Sequence, residues 1–147
     1  QYSQGISSDV PPVAAAVYAI LQSCHTDVAG KKIVVAGSGR LVGEPVHLMF
    51  TRMSIPHRMI DEETSESNKL ALFKDADIIV SGMGVPHAIK PEMIKPGVIL
   101  IDAGTSEQNG KLVGDIDPTC RHKASALTPV PGGIGPLTIV SLLRNLL

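Results

Sequence analysis

Five short apolar strings, most of them rich in β-branched side chains, constrain the fold of this chain more than any other feature. Stretches with helical spacing separate them, and they occupy residues Ile33–Ala36, His57–Ile60, Asp77–Val80, Val98–Ile101 and Ala124–Leu127. Most are apolar throughout and do not alternate with polar residues, a pattern typical of strands that helices cover on both faces. The strings therefore predict the strands of a buried parallel sheet.

The stretches between these strings predict the helices that connect parallel strands. Helical segments are expected at Val13–Cys24, Pro45–Met53, Glu66–Lys74 and Leu137–Leu147, with a single proline-opened turn at Pro91–Ile94. Strands and helices that alternate with short connections predict an α/β fold, a Rossmann-type doubly wound parallel sheet in one three-layer domain. The chain has the length of one such domain, so we assign all of residues 1–147 to it.

Composition and charge exclude several classes of protein. The formal charge is −1 and only 3% of the residues are aromatic, so we expect no nucleic-acid partner. No apolar run approaches the roughly 20 residues that span a bilayer, and the start lacks the pattern of a signal peptide. Cys24 and Cys120 lie far apart in the chain and predict free thiols in a reducing compartment. We therefore expect a cytoplasmic protein that binds no membrane.

A glycine-rich segment follows the first predicted strand and precedes a helix. Its residues are Gly37, Ser38, Gly39, Arg40, Leu41, Val42 and Gly43. Glycine lets the backbone approach a pyrophosphate, and the free amides and partial positive charge at a helix start stabilise the anion. The spacing is one residue longer than the common dinucleotide fingerprint. The segment predicts a phosphate cradle, and a glycine-rich turn without a ligand is the alternative.

Asp61 ends the next predicted strand, where dinucleotide-binding domains carry an acidic residue. Its carboxylate would accept hydrogen bonds from the 2′ and 3′ hydroxyls of an adenosine ribose and would repel a 2′-phosphate, which favours NAD over NADP. An equally good interpretation is that Asp61–Thr64 forms a solvated acidic turn that caps the next helix.

Three prolines and three glycines lie within the segment Leu127–Thr138. They predict a rigid connection at the carboxyl edge of the sheet, where ligands of open α/β sheets bind, although an ordinary proline-rich turn is the alternative. Asp102 and Asp115 are interpreted as turn-forming and capping residues, and Gly114 as a structural residue. The five histidines are scattered without metal-ligand spacing, and no motif for a covalent nucleophile is present, so no metal ligand or catalytic residue is assigned.

The order of the motifs resembles that of the methylenetetrahydrofolate dehydrogenase/cyclohydrolase family, from about Pro12 to Leu143. The longest match is Thr-Pro-Val-Pro-Gly-Gly-Ile-Gly-Pro-Leu-Thr at residues 128–138. Shorter matches precede it in the family's order, at Gly37–Pro45, Ala76–Val80, Gly84–Pro86, Ile94–Gly97, Ile101–Gly104 and Val113–Ile116.

The resemblance implies that the chain is the carboxy-terminal NAD(P)-binding domain of a bifunctional enzyme of folate one-carbon metabolism. That family oxidises methylenetetrahydrofolate with hydride transfer to NAD(P), and then hydrates the methenyl product to formyltetrahydrofolate. Its amino-terminal domain binds folate and supplies a catalytic lysine from a Tyr-x-x-x-Lys motif, which this chain lacks. Since the chain also begins without Met, we expect a piece of a longer protein that is inactive alone. The family's dimers form through this domain, so we expect a homodimer.

The resemblance also implies two groups of site residues. Those expected to bind cofactor are Gly37, Ser38, Gly39, Arg40, Leu41, Val42, Gly43, Asp61, Gly84, Val85, Pro86, Thr105 and Thr138. Among them, Thr105 would lie near the nicotinamide and Thr138 would hydrogen-bond its carboxamide. The residues expected on the folate side of the cleft are Pro131, Gly132, Gly133 and Ile134.

Departures from the family pattern bear on the cofactor and on the function. The family's turn usually reads Gly-Arg-Ser, whose arginine favours the 2′-phosphate of NADP, whereas Arg40 here is displaced by two positions. The next strand usually ends in Cys-His-Ser, and here it reads Ile-Asp-Glu at residues 60–62. Both changes favour NAD. The altered turn, and the altered lead-in at Asp9–Pro12, motivate an alternative function as a non-catalytic dinucleotide-binding module derived from the family.

Overall fold

The computed structural model of the chain describes residues 12–23, 28, 30–37, 42–104 and 106–129. Within these ranges the strands are β1 (Ile33–Ala36), β2 (Arg58–Ile60), β3 (Ile78–Ser81), β4 (Ile99–Asp102), β5 (Ser106–Gln108), β6 (Lys111–Val113) and β7 (Ala126–Pro129). The α-helices are α1 (Pro12–Ser23), α2 (Gly43–Arg52) and α3 (Glu66–Asp75), and 3-10 turns occur at Pro91–Met93 and Pro118–His122.

Five of these strands form one sheet in the order β2-β1-β3-β4-β7, and every neighbouring pair is parallel. The five strands are those that the apolar strings predict, with ends that differ by at most two residues. The register places Val35 of β1 between Met59 of β2 and Val80 of β3. The predicted α/β fold with a parallel, doubly wound sheet is thereby confirmed.

Helices cover both faces of the sheet, which explains why the strands are apolar throughout. Helices α1 and α2 pack on one face, where Val35 belongs to the same buried cluster as Phe50. Helix α3 and the two 3-10 turns pack on the other face, where Val34 is buried with Phe73. Successive residues of β1 therefore enter different cores, and burying each such side chain contributes about 1.5–3 kcal/mol.

Helix α3 begins at a side-chain cap that the sequence interpretation placed a few residues earlier. The hydroxyl of Ser65 accepts a hydrogen bond from the backbone N–H of Asn68 at 3.2 Å. Such a cap satisfies one of the free N–H groups of the first turn. Phe73 is the buried residue of this helix and packs into the core.

An antiparallel hairpin, β5–β6, is present although no strand was predicted there. Its turn is Asn109-Gly110, and both residues have positive φ, 55° and 78°. A two-residue turn with two positive φ angles is the type I′ turn that suits hairpins, and Asn-Gly is its usual sequence. The predicted final helix, Leu137–Leu147, lies outside the described residues. Among the described helices, none is long and apolar enough to cross a membrane.

Candidate functional site

A crevice opens at the carboxyl edge of the sheet because the chain leaves β1 and β3 toward opposite faces. From β1 it continues into α2 on one face, and after β3 it continues toward Ile89 in the core of the other face. Open α/β sheets bind ligands at such a switch point. A cleft of about 440 Å³ lies there, and its walls are formed by Gly37, Ile60, Asp61, Glu62, Lys69, Gly82, Met83 and Val85.

Two residues without side chains form the floor of this cleft. Gly37 follows β1 with φ +105°, and a Cβ atom added to it would lie 2.6 Å from the carbonyl oxygen of Gly82. A Cβ atom added to Gly82 would overlap the side chain of Val42. The ends of β1 and β3 therefore come together as bare backbone, which leaves space above them for a ligand.

The start of α2 lies beside this floor. Its N-cap residue is Val42, which makes no side-chain hydrogen bond to the first turn, and Gly43 is the buried first residue of the helix. The N–H groups of the first turn thus have no acceptor from the cap, a situation that favours an anion at the helix start. Of the predicted phosphate cradle, Ser38, Gly39, Arg40 and Leu41 lie outside the described residues.

Asp61 lies in the wall of the cleft and also organises the turn after β2. One carboxylate oxygen accepts from the backbone N–H of Glu63 at 2.9 Å and from the hydroxyl of Thr64 at 3.2 Å. The hydrogen bonds of the turn interpretation are therefore present, and Asp61 is still among the residues that line the cleft, beside Glu62. The two interpretations of Asp61 are compatible.

Lys69 lines the same part of the cleft, although sequence reasoning did not select it. Its ammonium lies 3.3 Å from the carboxylate of Glu66, one turn earlier on α3. No sequence signal separates Lys69 from the other polar residues of this helix, because only the packing of α3 brings it to the cleft. The acidic pair Asp61 and Glu62 thus has a cation beside it.

A fully buried carboxylate, Asp115, lies behind the loop that follows β3. It accepts from the hydroxyl of Ser81 at 2.6 Å and from the backbone N–H groups of Met83 and Val85 at 2.6 and 3.0 Å. These are contacts between segments 30 or more residues apart in the chain. Asp115 therefore does not form a local turn or cap, contrary to its interpretation from sequence.

Asp102, at the end of β4, makes a second set of such contacts. Its carboxylate accepts from the backbone N–H of Gly104, as a local turn would, but also from those of Asp115 and Ile116, all at 3.0–3.1 Å. Burial raises the pKa of Asp102 above its ordinary value of 3.8, while the three N–H donors act in the opposite direction. The turn interpretation of Asp102 is correct only for Gly104.

The two aspartates fit because two glycines leave room for them. A Cβ atom on Gly104 would overlap the carboxylate of Asp115, and one on Gly114 would overlap the carboxylate of Asp102. The structural role expected for Gly114 is thereby explained by a tertiary contact.

The remaining predicted site residues divide into two groups. Gly84, Val85 and Pro86 lie in the loop after β3, and of these Val85 lines the cleft with half of its surface exposed. Outside the described residues lie Thr105, Thr138, Pro131, Gly132, Gly133 and Ile134.

Two of the histidines that the sequence shows as scattered meet in the structure. The Nδ1 atom of His47, on α2, lies 2.7 Å from Nε2 of His57, whose Nδ1 donates to the carbonyl of Ile55 at 2.8 Å. The ring of Phe50 packs against His57 edge to face. This pair joins α2 to the start of β2 and lies away from the cleft.

A second cleft, of about 350 Å³, lies at the opposite edge of the sheet. Lys31, Lys32 and Arg58 are among its lining residues, and the ammonium of Lys32 is paired with the carboxylate of Asp75 at 2.7 Å. This edge carries the amino ends of the strands, whereas dinucleotides bind at the carboxyl ends. The first cleft is therefore the candidate cofactor site.

Cys120 is a buried free thiol whose hydrogen-bond acceptor is the carbonyl of Ile89. Burial raises the pKa of this thiol to about 11, so it is protonated and unreactive at neutral pH. Cys24 lies outside the described residues.

Comparison with known proteins identifies the family of the chain. Residues 11–147 match the family model described as tetrahydrofolate dehydrogenase/cyclohydrolase, NAD(P)-binding domain. The bifunctional protein FolD of Aquifex aeolicus is 40% identical over 139 residues, which cover 94% of this chain and 47% of that protein. The chain thus spans about half the length of the curated relatives it matches.

Solved structures agree with this result. The bifunctional FolD enzyme of Campylobacter jejuni has a TM-score of 0.79 and 32% identity, over 99% of this chain and 52% of that one. The FolD of Trypanosoma brucei, solved with NADP cofactor and inhibitor, has a TM-score of 0.76 and 34% identity, over 93% of this chain and 49% of that one.

Proposed function

The chain belongs to the tetrahydrofolate dehydrogenase/cyclohydrolase family, whose NAD(P)-binding domain it matches, and on this basis we propose that its cleft between β1 and β3 binds a nicotinamide dinucleotide. The observation that carries the proposal is the bare floor of Gly37 and Gly82 at the switch point of the sheet. A Cβ atom on Gly37 would meet the backbone of Gly82, and one on Gly82 would meet the side chain of Val42, so only glycine lets the ends of β1 and β3 and the start of α2 come this close together.

The described residues suit the parts of such a cofactor in turn. The uncapped first turn of α2, beginning at Gly43, would hold the pyrophosphate. Asp61 would accept hydrogen bonds from the adenosine ribose, and Val85 would cover an apolar side of the bound molecule. When bound, the nicotinamide supplies the hydride acceptor, while the protein orients it and excludes water.

We propose further that the chain works as half of a bifunctional methylenetetrahydrofolate dehydrogenase and methenyltetrahydrofolate cyclohydrolase. The length of its relatives supports a partner domain that would bind folate and supply the catalytic lysine. In this proposal residues 1–147 are one domain, inactive alone in both reactions. The assembled enzyme would be a cytoplasmic homodimer.

We propose NAD as the preferred cofactor. Asp61 and Glu62 place two carboxylates in the wall of the cleft where the ribose would bind, and a 2′-phosphate would be repelled there. Lys69 offsets part of this charge, but its ammonium is already shared with Glu66. The balance of these charges favours the cofactor without the phosphate.

Fluorescence titration of the 147-residue chain with NADH and with NADPH tests the proposed dinucleotide binding and the proposed preference for NAD. We expect saturable binding of NADH, and a Kd for NADPH that is higher by about tenfold, or about 1.4 kcal/mol. Absence of binding for both cofactors would overturn the proposed function. Tighter binding of NADPH would overturn only the preference.

The alternative of a non-catalytic binding module is tested at the level of the gene. We expect the reading frame upstream of Gln1 to encode a domain with a Tyr-x-x-x-Lys motif. A natural start codon immediately before Gln1 would instead favour a module that binds the dinucleotide without chemistry.

A further inference from the structure

One short segment of the chain, residues 114–116, holds the loop that forms a wall of the cleft. The carboxylate of Asp115 accepts from the backbone N–H groups of Met83 and Val85, the two loop residues that line the cleft. Each of these N–H groups points away from the cleft into the protein. Asp115 therefore fixes the position of Met83 and Val85 from the side of the loop opposite the cleft.

The backbone of the same segment continues this pattern along the loop. The N–H of His87 donates to the carbonyl of Gly114 at 3.1 Å, and the N–H of Ile89 donates to the carbonyl of Asp115 at 2.9 Å. Every second N–H from residue 83 to residue 89 therefore has its acceptor in residues 114–115. The first two acceptors are the oxygens of one side chain.

Asp102 in turn fixes the segment. Its carboxylate accepts from the N–H groups of Asp115 and Ile116, and it stands at the end of β4, which has a strand on each side. The hydrogen bonds thus run in series from the rigid sheet through Asp102 and Asp115 to Met83 and Val85. Neither carboxylate lines the cleft.

The choice of a carboxylate at residue 115 has a chemical reason. All three of its hydrogen-bond partners are donors, namely the hydroxyl of Ser81 and the N–H groups of Met83 and Val85. An ionised carboxyl group only accepts, whereas an amide of the same shape must turn an NH₂ group toward at least one donor. A buried charge is costly unless such donors satisfy it, so the arrangement is specific for aspartate.

We propose that Asp115 is a positioning residue for dinucleotide binding, which acts by fixing Met83 and Val85 in the wall of the cleft and is itself placed by Asp102. This inference rests on the proposed function. It adds a determinant of cofactor affinity that does not touch the cofactor.

The test compares Asp115→Asn with two control variants in the 147-residue chain. Asp117→Asn is the matched control, because Asp117 lies only two residues away. One of its carboxylate oxygens accepts hydrogen bonds from the backbone N–H and the hydroxyl of Thr119, and an amide oxygen can accept both. Ile33→Val is the control for lost stability, since Ile33 is buried at the amino end of β1, far from the cleft.

The readouts are the Kd values for NADH and NADPH from fluorescence titration, and the midpoint of thermal unfolding. Asp115→Asn should raise both Kd values by about tenfold or more. The NH₂ group of asparagine would face another donor, and the loop that carries Met83 and Val85 would shift to separate the two. The ratio of the two Kd values should not change, since neither Met83 nor Val85 carries a charge. Asp117→Asn should bind as the original chain does, and Ile33→Val should unfold earlier while it keeps its affinity.

Several outcomes would overturn the inference. One is an Asp115→Asn chain that binds either cofactor within about twofold of the original. Another is an equal loss of affinity in Ile33→Val, which would make the effect one of general stability. If Asp115→Asn does not fold, Ser81→Ala decides: it should raise both Kd values by about threefold by removing one donor, and an unchanged Kd would overturn the inference.

Failure of the proposed function gives a different result. In that case the original chain would bind neither NADH nor NADPH, and the inference would be overturned with it. If the original chain binds and Asp115→Asn binds equally well, only the inference is lost.

Discussion

The ammonium of Lys95 lies 2.6 Å from the carboxylate of Asp77, and this ion pair joins the segment before β4 to the start of β3. The second oxygen of Asp77 accepts from the backbone N–H of Lys32 at 2.8 Å. The hydrogen bond from Lys95, together with that from Lys32, lowers the pKa of Asp77 below its ordinary 3.8. The ionised carboxylate thus fastens three segments at the amino edge of the sheet.

Replacement of Asp77 by asparagine should lower the free energy of unfolding by about 1 kcal/mol at neutral pH. Because the folded-state pKa of Asp77 is lowered, this contribution is complete above 3.8 and is lost as the pH falls through the lowered value. Urea unfolding at pH 7 and at a series of pH values falling below 3.8 measures it. The two chains should converge in acid, and Asp75→Asn, which breaks a pair exposed on both sides, should cost less.

Replacement of Gly37 by alanine should raise the Kd for NADH by more than about tenfold, because the new Cβ atom meets the carbonyl of Gly82 and forces the ends of β1 and β3 apart. Gly30→Ala is the matched control. Gly30 also has positive φ, +77°, but a Cβ atom there meets nothing within 4 Å. Titration of both variants with NADH separates the clash with Gly82 from the backbone strain of alanine at positive φ. Equal losses of affinity would mean that backbone strain alone is responsible.

Replacement of Asp61 by serine should shift the ratio of the NADPH and NADH Kd values toward NADPH by about tenfold. The change removes a charge from the wall of the cleft and the acceptor for the ribose hydroxyls. Glu63→Ser alters the same acidic turn outside the cleft and should leave the ratio unchanged. If both variants behave alike, Asp61 only organises the turn.

Replacement of Gly110 by alanine should lower the free energy of unfolding by about 1 kcal/mol, because alanine is strained at the φ of +78° that the hairpin turn requires. A Cβ atom at this position meets nothing within 4 Å, so the cost is conformational only. Lys111→Ala, next in the hairpin, should have little effect in the same denaturation experiment. A larger loss for Lys111→Ala would assign the stability to side-chain contacts.

The parallel sheet was predictable because its strands are buried on both faces, and such strands are recognisable by apolar composition alone. Ile78–Ser81 is fully buried and was placed within one residue. The hairpin was missed because its strands are short and β5, Ser106–Gln108, is polar. The sequence signal for this hairpin is the Asn-Gly pair at residues 109–110.

The candidate site was predictable where backbone chemistry dictates the residue and unpredictable where packing does. Gly37 directly follows β1 and Asp61 directly follows β2, so both positions can be read from the predicted ends of these strands. Lys69 reaches the cleft only through the docking of α3, and the burial of Asp115 depends on Gly104, eleven residues earlier. No local pattern contains such information.

The contacts of Asp102 and Asp115 with the two glycines carry a consequence for engineering. Gly104 stands where the carboxylate of Asp115 needs space, and Gly114 stands where the carboxylate of Asp102 needs it. The four positions therefore depend on one another across the hairpin. Asp102 and Gly104 precede it, and Gly114 and Asp115 follow it. We therefore expect that the hairpin between them can be exchanged for another of equal span, whereas a graft of this region has to carry all four residues together.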